Sequence, residues 1–255
     1  MPYTEEQAAQ ISGELTRWIE RLENLSTLFL TRDVSNENAS EFIRHGLARR
    51  LSSVKHAAIR IFEIIPPLAA NPQASELKDV TLYLQSFIIN IYGILDNLAR
   101  IWSLEFELKT SNRKPIPNGR IGLGPKNTSV RESLPPPLRE YIVGLDRWFG
   151  YLEDYRHALA HRVPLYIPPK QLNNEDADEW NRLENELSEA IRRRDFKGWD
   201  KIFAKQAALG TFEPIMMHSY GEGARPVFFH SQMVCDLATV VEIGEKMLAE
   251  FKGHS

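Results

Sequence analysis

The chain of 255 residues has a single cysteine, Cys235, and no long uninterrupted apolar run. One cysteine excludes an intramolecular disulfide, a cysteine-rich zinc site and a CxxC redox pair, and it is typical of a reducing compartment. The longest apolar stretch, residues 87–95, is interrupted by Asn90 and Gly93, and it falls short of the roughly 18 residues of a membrane span. The N-terminal residues lack the basic and apolar regions of a signal peptide. We therefore expect a soluble cytoplasmic protein without a membrane partner, with Cys235 in its core.

Neither sign of charge dominates the composition. The chain has 31 lysines and arginines and 34 acidic residues, which gives a formal net charge of −3. The overall charge therefore predicts no polyanionic partner, and any nucleic-acid surface would have to be local. Hydrophobic residues make up 43% and charged residues 25%, as in ordinary globular domains, and this excludes a disordered chain.

Apolar residues recur mostly at three- and four-residue steps, which is the period of an amphipathic helix. The sequence predicts an all-α fold, a helical bundle of about five to six helices with a small C-terminal β-hairpin. We assign residues 1–170 to the bundle and residues 171–255 to a C-terminal extension that packs on it. Thr4 and Gln7 have the spacing of a capping box at the first helix. The predicted helices cover residues 4–30, 39–65, 75–109, a segment from 138 to before Pro164, 176–194, 198–208 and 231–251, and the strands cover 212–219 and 226–230 around Gly221, Glu222 and Gly223.

Residues 110–137 break the helical pattern and predict a long loop rich in glycine, proline, asparagine and serine. Long loops of this kind in compact domains are often functional. From residue 109 to residue 131 there are six cations and no acid, a local charge of +6. Residues 119–126 contain GxG but lack the spacing of a phosphate-binding loop, so they predict a flexible segment. The candidate polyanion-binding residues are Arg113, Lys114, Arg120 and Lys126.

The end of the predicted fourth helix carries Arg156, His157 and His161. At about 100° per residue, the two histidines lie on one face of the helix. An imidazole can take and give protons near neutral pH. A guanidinium stays charged and matches phosphate oxygens with a fork of donors. Together these side chains predict a reactive cluster at the helix end.

Four residues separate Arg156 from His161, and the first of them, His157, is polar. This pattern resembles the R-x4-6-H motif of the HEPN superfamily. The motif closes a helix here, and a hydrophobic helix with Asp96 and Asn97 precedes it. The resemblance covers about residues 40–165. It implies a helical bundle, and many members are metal-independent endoribonucleases that act as homodimers. The family also suggests a bacterial defence protein or a toxin with an antitoxin partner.

The resemblance implies a role for each matching residue. His161 would act as general base or acid while a ribose 2′-hydroxyl attacks the adjacent phosphorus. Arg156 would stabilise the charge of the transition state, and His157 would orient the scissile phosphate. Asp96 or Asn97 would hold Arg156. No metal and no cofactor would be needed, and the cations of the loop would bind the RNA backbone.

Other interpretations of the same residues stay open. The dipole of the helix favours His161 in a last turn, and Arg156 could pair with Glu153 or Asp154 in a purely structural role. Glu153, His157 and His161 share a face and could ligate zinc, although no second motif completes such a site. A rival from another class is a non-catalytic HEPN-like module that binds RNA or a protein.

Two further features carry no functional prediction. The run Arg192, Arg193 and Arg194 suits the C-terminal end of a helix, where cations complement the dipole. His218 is a lone histidine, and the sequence indicates no partner for it.

Overall fold

A computed structural model describes residues 3–219 and 225–251, which are mostly helical. The helical class and the small antiparallel β-hairpin are confirmed, but the described residues hold more helices than the five to six that we predicted. The turn residues Gly221, Glu222 and Gly223 lie outside the described residues. The helices are α1 (Glu5–Leu30), α2 (Glu37–Glu41), α3 (Ala48–Ile64), α4 (Ala74–Glu105), α5 (Thr128–Ser133), α6 (Pro136–Gly144), α7 (Asp146–His161), α8 (Asn174–Arg192), α9 (Phe196–Ala208) and α10 (Phe229–Phe251), and the strands are β1 (Ile215–Met216) and β2 (Val227–Phe228).

Helix α4 lies at the centre of the bundle. It packs against α3, α7 and α10, while α1 packs along α10. Its apolar residues near the middle are buried on most sides, including Phe87, Ile91 and Leu98. Such a helix is hydrophobic nearly all round because neighbours cover most of its surface. One hydrophobic core therefore joins the N-terminal helices to α10 at the other end of the chain.

The segment predicted as one helix over residues 39–65 is interrupted by a π-helical turn, Phe42–Leu47. At Gly46 in this turn, an added Cβ would lie 2.5 Å from the side-chain nitrogen of Asn97 on α4. The missing side chain therefore lets the turn approach the amide of Asn97. Single π-helical turns inside α-helices are frequent at functional sites.

The segment predicted as the fourth helix is two helices, α6 and α7, which meet at Leu145. Prolines at the first turn of α6 suit its start, because those amide groups lack helical partners. Helix α7 ends at His161, three residues before Pro164. The long loop also differs from the prediction, because it contains the 3-10 turn Asn118–Arg120 and helix α5.

Strands β1 and β2 pair antiparallel, with Ile215 opposite Phe228 and Met216 opposite Val227. They are shorter than predicted, and α10 follows β2 directly. Cys235 on α10 was expected in the core but is exposed. Within the described residues, we find no helix that combines the length and the apolar character of a membrane span.

Helices α8 and α9 pack mainly on each other and form a hairpin that we call the α8–α9 arm. The buried residues of α8, Leu183, Leu187 and Ala190, lie outside the main hydrophobic core. The residues assigned to the C-terminal extension therefore have two different structural roles. Helix α10 is part of the core of the bundle, whereas the α8–α9 arm is held together by its own apolar contacts.

Candidate functional site

The guanidinium of Arg156 lies on the side of α7 that faces α4. Its central carbon is 4.6 Å from the centre of the Tyr92 ring, a cation–π contact. Asp96 lies one turn after Tyr92 on α4 and is half-buried. Burial raises the pKa of the Asp96 carboxyl, and the positive charges of Arg156, Arg100 and Arg50 oppose that rise. Asp96 therefore lies near enough to Arg156 for their charges to interact, although no hydrogen bond or ion pair joins the two among the described residues.

Asn97, the other residue expected beside Arg156, instead binds Arg50 of α3. Arg50 donates from Nε to Oδ1 of Asn97 at 3.1 Å and from Nη1 to Oδ1 of Asn90 at 3.1 Å. A Cβ at Gly93 would clash with this guanidinium. Two neutral amides and a glycine thus hold Arg50 against α4. Its charge is one of three that act on Asp96.

Sequence reasoning missed Arg50, although α4 carried a signal for it. Asn90, Gly93 and Asn97 recur at three- and four-residue steps on a helix whose middle part is largely apolar. Such a stripe of small and polar residues on a buried helix indicates that something polar packs against it. The identity of that partner depends on the packing of α3, which the local sequence does not reveal.

The long loop covers the same region of α4 and α7. Residues 122–127 line a cleft together with Tyr92 and Asp96 of α4 and Glu153 of α7. The ammonium group of Lys126 lies 3.2 Å from Oε1 of Glu153. Nη1 of Arg100 donates to Oδ1 of Asn118 at 3.1 Å and joins α4 to the loop. The loop is therefore packed onto the candidate site.

Arg131 fixes this loop from the inside. Its buried guanidinium donates from Nε to the carbonyl oxygen of Leu123 at 2.7 Å and pairs with Asp146 at 2.6 Å. It also lies 5.5 Å from the centre of the Phe149 ring. Of the six cations of this segment, Arg131 is consequently structural and does not contribute to the surface.

The four loop residues predicted to bind a polyanion differ in their surroundings. Arg113, Lys114 and Arg120 are exposed. Lys126 is exposed as well but pairs with Glu153. The local positive charge at the surface is therefore smaller than the sequence count suggests.

The two motif histidines lie at the outer end of α7. His157 is half-buried, and its Nε2 is 4.0 Å from Oε1 of Glu153. His161 is the last residue of α7 and is exposed. Among the residues that the structure describes, no hydrogen bond joins Arg156 to His161. The arginine thus packs on Tyr92, which lines the cleft, whereas the imidazole of His161 is open to solvent at the end of α7.

The zinc interpretation finds no geometric support in residues 3–219 and 225–251. These residues contain no group of three or more histidine, cysteine or acidic side chains that could hold a metal ion. Glu153, His157 and His161 therefore do not gather around one point.

A cluster of polar side chains fixes the end of α7. Asp154 binds Nη2 of Arg162 at 2.5 Å and Nε2 of His218 at 2.9 Å. Burial raises the pKa of Asp154, but the hydrogen bonds from Arg162 and His218 outweigh it and lower that pKa. His218 is buried and meets the Tyr155 ring edge-on at 5.0 Å. The sequence indicated no partner for His218, because Asp154 lies 64 residues away.

No protein-family model, curated protein sequence or solved structure matches this chain. Any inference about function therefore starts from the residues of the cleft and of the end of α7. The most informative of these are Arg156, with its Tyr92 and Asp96 neighbours, and His161.

Proposed function

We propose that the chain is a metal-independent endoribonuclease of the HEPN type. The observation that carries this proposal is the position of Arg156. Its guanidinium packs on the ring of Tyr92 and its charge acts on the carboxyl of Asp96. Both of those residues line the cleft, and Arg156 belongs to the helix that ends at the exposed His161. A loop with exposed cations packs on the same cleft. This combination suits a phosphodiester, because it supplies a fixed positive charge and a nearby proton carrier.

The proposed reaction is an internal transfer at phosphorus. The ribose 2′-hydroxyl loses its proton to a base and forms a bond to the adjacent phosphorus, while the bond from phosphorus to the 5′-oxygen breaks. A proton reaches that leaving oxygen, and the products are a 2′,3′-cyclic phosphate and a 5′-hydroxyl. His161 serves as general base or acid, Arg156 stabilises the negative charge on the phosphoryl oxygens, and His157 orients the phosphate. Asp96 holds Arg156 in place through its charge.

The proposal extends to assembly and setting through the same resemblance. A homodimer would bring two ends of α7 together, and such a seam would add residues to a site that is open to solvent at His161. A cytoplasmic toxin or defence protein with an antitoxin partner is the biological setting that the resemblance suggests. The dimer can be tested by light scattering of the purified chain.

One observation favours the non-catalytic alternative. Arg156 packs on Tyr92, which lines the cleft, while His161 is exposed at the end of the helix. A module that only binds RNA or a protein would need the cleft but not the imidazole. The two functions differ in whether RNA is cut.

The experiment that tests the proposal is incubation of RNA with the purified chain in excess EDTA. We expect cleavage, with 2′,3′-cyclic phosphate and 5′-hydroxyl ends. RNA that is bound but stays intact would favour the non-catalytic module. RNA that is neither bound nor cut would reject the nuclease and an RNA-binding module, and would leave only a module that binds a protein.

Replacing the loop cations Arg113, Lys114, Arg120 and Lys126 by alanine should weaken RNA binding. For single-stranded RNA, each cation that no longer neutralises a phosphate should flatten the slope of log affinity against log salt by about 0.7, so the fourfold variant should flatten it by about 3. The affinity of labelled RNA is measured over a salt series. Arg17→Ala on α1 is the control, because Arg17 is an exposed arginine paired with Glu14. An unchanged slope in the loop variant would mean that the loop is not the RNA surface.

A further inference from the structure

The α8–α9 arm projects on a short stem that starts just after the candidate site. Gln171 and Thr211 exchange backbone hydrogen bonds of 2.7 and 3.0 Å, and Tyr166 and Met217 exchange bonds of 2.9 and 3.1 Å. The segments before α8 and after α9 thus run antiparallel. Tyr166 follows His161 by five residues, and Met217 precedes His218. Since His218 binds Asp154 of α7, the base of the stem is fixed to the helix that carries the motif.

Residues 191–197 comprise the end of α8, the turn and the start of α9, and they are exposed at every position. We call this segment the arm tip. Phe196 is 70% exposed and Ile191 is 58% exposed, the first and third highest values among the exposed large hydrophobic residues of the described chain. Exposed apolar side chains that share one patch rimmed by polar residues mark interaction sites, whereas a single exposed one needs no explanation.

The charge of the arm tip is mostly positive. Its cations are Arg192, Arg193, Arg194 and Lys197, and its one acid is Asp195, so four positives less one negative leave +3. Asp195 caps α9, because its Oδ1 accepts from the backbone amide of Gly198 at 2.9 Å. Arg193 pairs with Glu189 at 2.5 Å in an exposed ion pair, which is worth little in water.

The fixed geometry of the turn gathers these cations. Arg194 has a left-handed backbone with a φ of 57°, and its amide and that of Asp195 donate to the carbonyl oxygens of Ile191 and Ala190. The chain therefore reverses within a few residues, and the arginines and Phe196 lie close together at the same end of the arm. A cap for the helix dipole explains cations in the last turn of α8 but does not explain the exposure of Phe196.

The composition of the arm tip favours single-stranded RNA over a protein or a membrane. Protein interfaces are also enriched in arginine and aromatic residues, but their buried core is depleted of charge, and four of the seven residues of the arm tip are cations. A helix that lies in a membrane surface needs a broad apolar face, and the exposed side of α9 is interrupted by Lys197, Asp200 and Lys201. Single-stranded nucleic acid needs cations for phosphates and an open aromatic ring on which a base can stack.

We propose that the arm tip is a second RNA-contacting surface, in which Arg192, Arg193 and Arg194 bind phosphates and the ring of Phe196 stacks on a base. This inference rests on the proposed function, since it names RNA as the shared ligand. The cleft would hold the scissile phosphodiester, and the arm would hold a distant part of the same strand. Longer RNA would therefore bind more tightly than RNA that reaches the cleft alone.

The test measures the affinity of fluorescein-labelled single-stranded RNA for the full chain and for variants of the arm tip. The variant R192A/R193A/R194A should flatten the salt slope by about 2, since each of the three arginines accounts for about 0.7. Phe196→Ala should weaken binding by roughly 5- to 150-fold with the slope unchanged, as for one stacked base. Phe196→Tyr should restore affinity, whereas Phe196→Leu should not. Arg182→Ala is the matched control, because Arg182 is on α8 and is bound by Glu179 and Glu186.

Cleavage of a ribodinucleotide separates this inference from the proposed function. A dinucleotide has one phosphodiester, so the arm-tip variants should cleave it at the wild-type rate. If they also bind long RNA with wild-type affinity while His161→Ala abolishes cleavage, the arm inference is wrong and the nuclease stands. If the variants lose binding to phosphatidylserine vesicles but not to RNA, the surface is a membrane contact and the inference is again overturned. Loss of dinucleotide cleavage in the arm-tip variants would contradict a separate surface.

Discussion

His161→Ala is expected to reduce RNA cleavage by about 10²- to 10⁴-fold, the usual contribution of a positioned general acid or base. The substitution should leave the fold intact, because His161 is exposed at the last position of α7. The initial rate of cleavage in EDTA gives the effect, and thermal unfolding checks the fold. Binding of uncut RNA should change little, since the proposed role of the imidazole is to transfer a proton during the reaction.

The matched control is His45→Ala, which removes another exposed imidazole from the π-helical turn. Its cleavage rate should equal that of the wild type. Cleavage that persists in His161→Ala at the rate of this control would remove His161 from the reaction and favour the non-catalytic module.

Asp236→Asn is expected to stabilise the chain at alkaline pH, because Asp236 is buried and its carboxyl carries an unfavourable charge there. Burial raises the pKa of Asp236 from 3.8 to about 7, although hydrogen bonds from Trp148 and Gln232 counteract part of this rise. Both donors reach Oδ1 at 2.8 Å, an acceptor that asparagine keeps.

The sign of this pH dependence follows from the protons that the folded and the unfolded chain bind at Asp236. Between about pH 4 and pH 7 the folded chain keeps a proton on Asp236 that the unfolded chain has released. The free energy of unfolding therefore falls as the pH rises through this range, by about 4 kcal/mol in total. Asn cannot ionise, so the difference between variant and wild type should grow by about that amount from pH 4 to pH 8.

Urea unfolding at several pH values measures this difference. Asp200→Asn serves as the control, because it makes the same substitution at an exposed position on α9. A difference between Asp236→Asn and wild type that is the same at pH 4 and pH 8 would show that the buried carboxyl titrates normally.

The local signals in the sequence predicted most helices well. The capping box of Thr4 and Gln7 is present, with both hydrogen bonds formed, since its partners are three residues apart. The start of the long helix differs by one residue from the prediction, and its end at Glu105 comes four residues early. Stripes of apolar residues several turns long predict a helix because the period alone defines the buried face.

The errors arose where distant residues decide the backbone. Helices α6 and α7 are separate although their apolar pattern continues across Leu145. The loop over residues 110–137 is held by Arg131, whose partners Leu123 and Asp146 cannot be recognised from composition. Cys235 followed the apolar pattern of α10 but lies on its exposed side.

The residues of the candidate site also fall into two groups, those that the sequence indicated and those whose partners are distant in the chain. The resemblance implied that Asp96 or Asn97 would hold Arg156, and Asp96 is the one on which the charge of Arg156 acts. Arg50 and His218 could not be predicted, since their partners Asn97 and Asp154 are 47 and 64 residues away. A polar residue whose partner is remote looks like a solitary one until the helices are packed.

The central claim is that Arg156 and His161 act on one phosphodiester of RNA through the neighbouring 2′-hydroxyl. Its most direct test is end-group analysis of an RNA oligonucleotide cut by the wild type in EDTA, beside the same oligonucleotide with a single 2′-deoxynucleotide at the cleaved position. We predict a 2′,3′-cyclic phosphate from the first and no cleavage at that position in the second. Equal cleavage of both oligonucleotides, or a product with a 5′-phosphate, would contradict the claim.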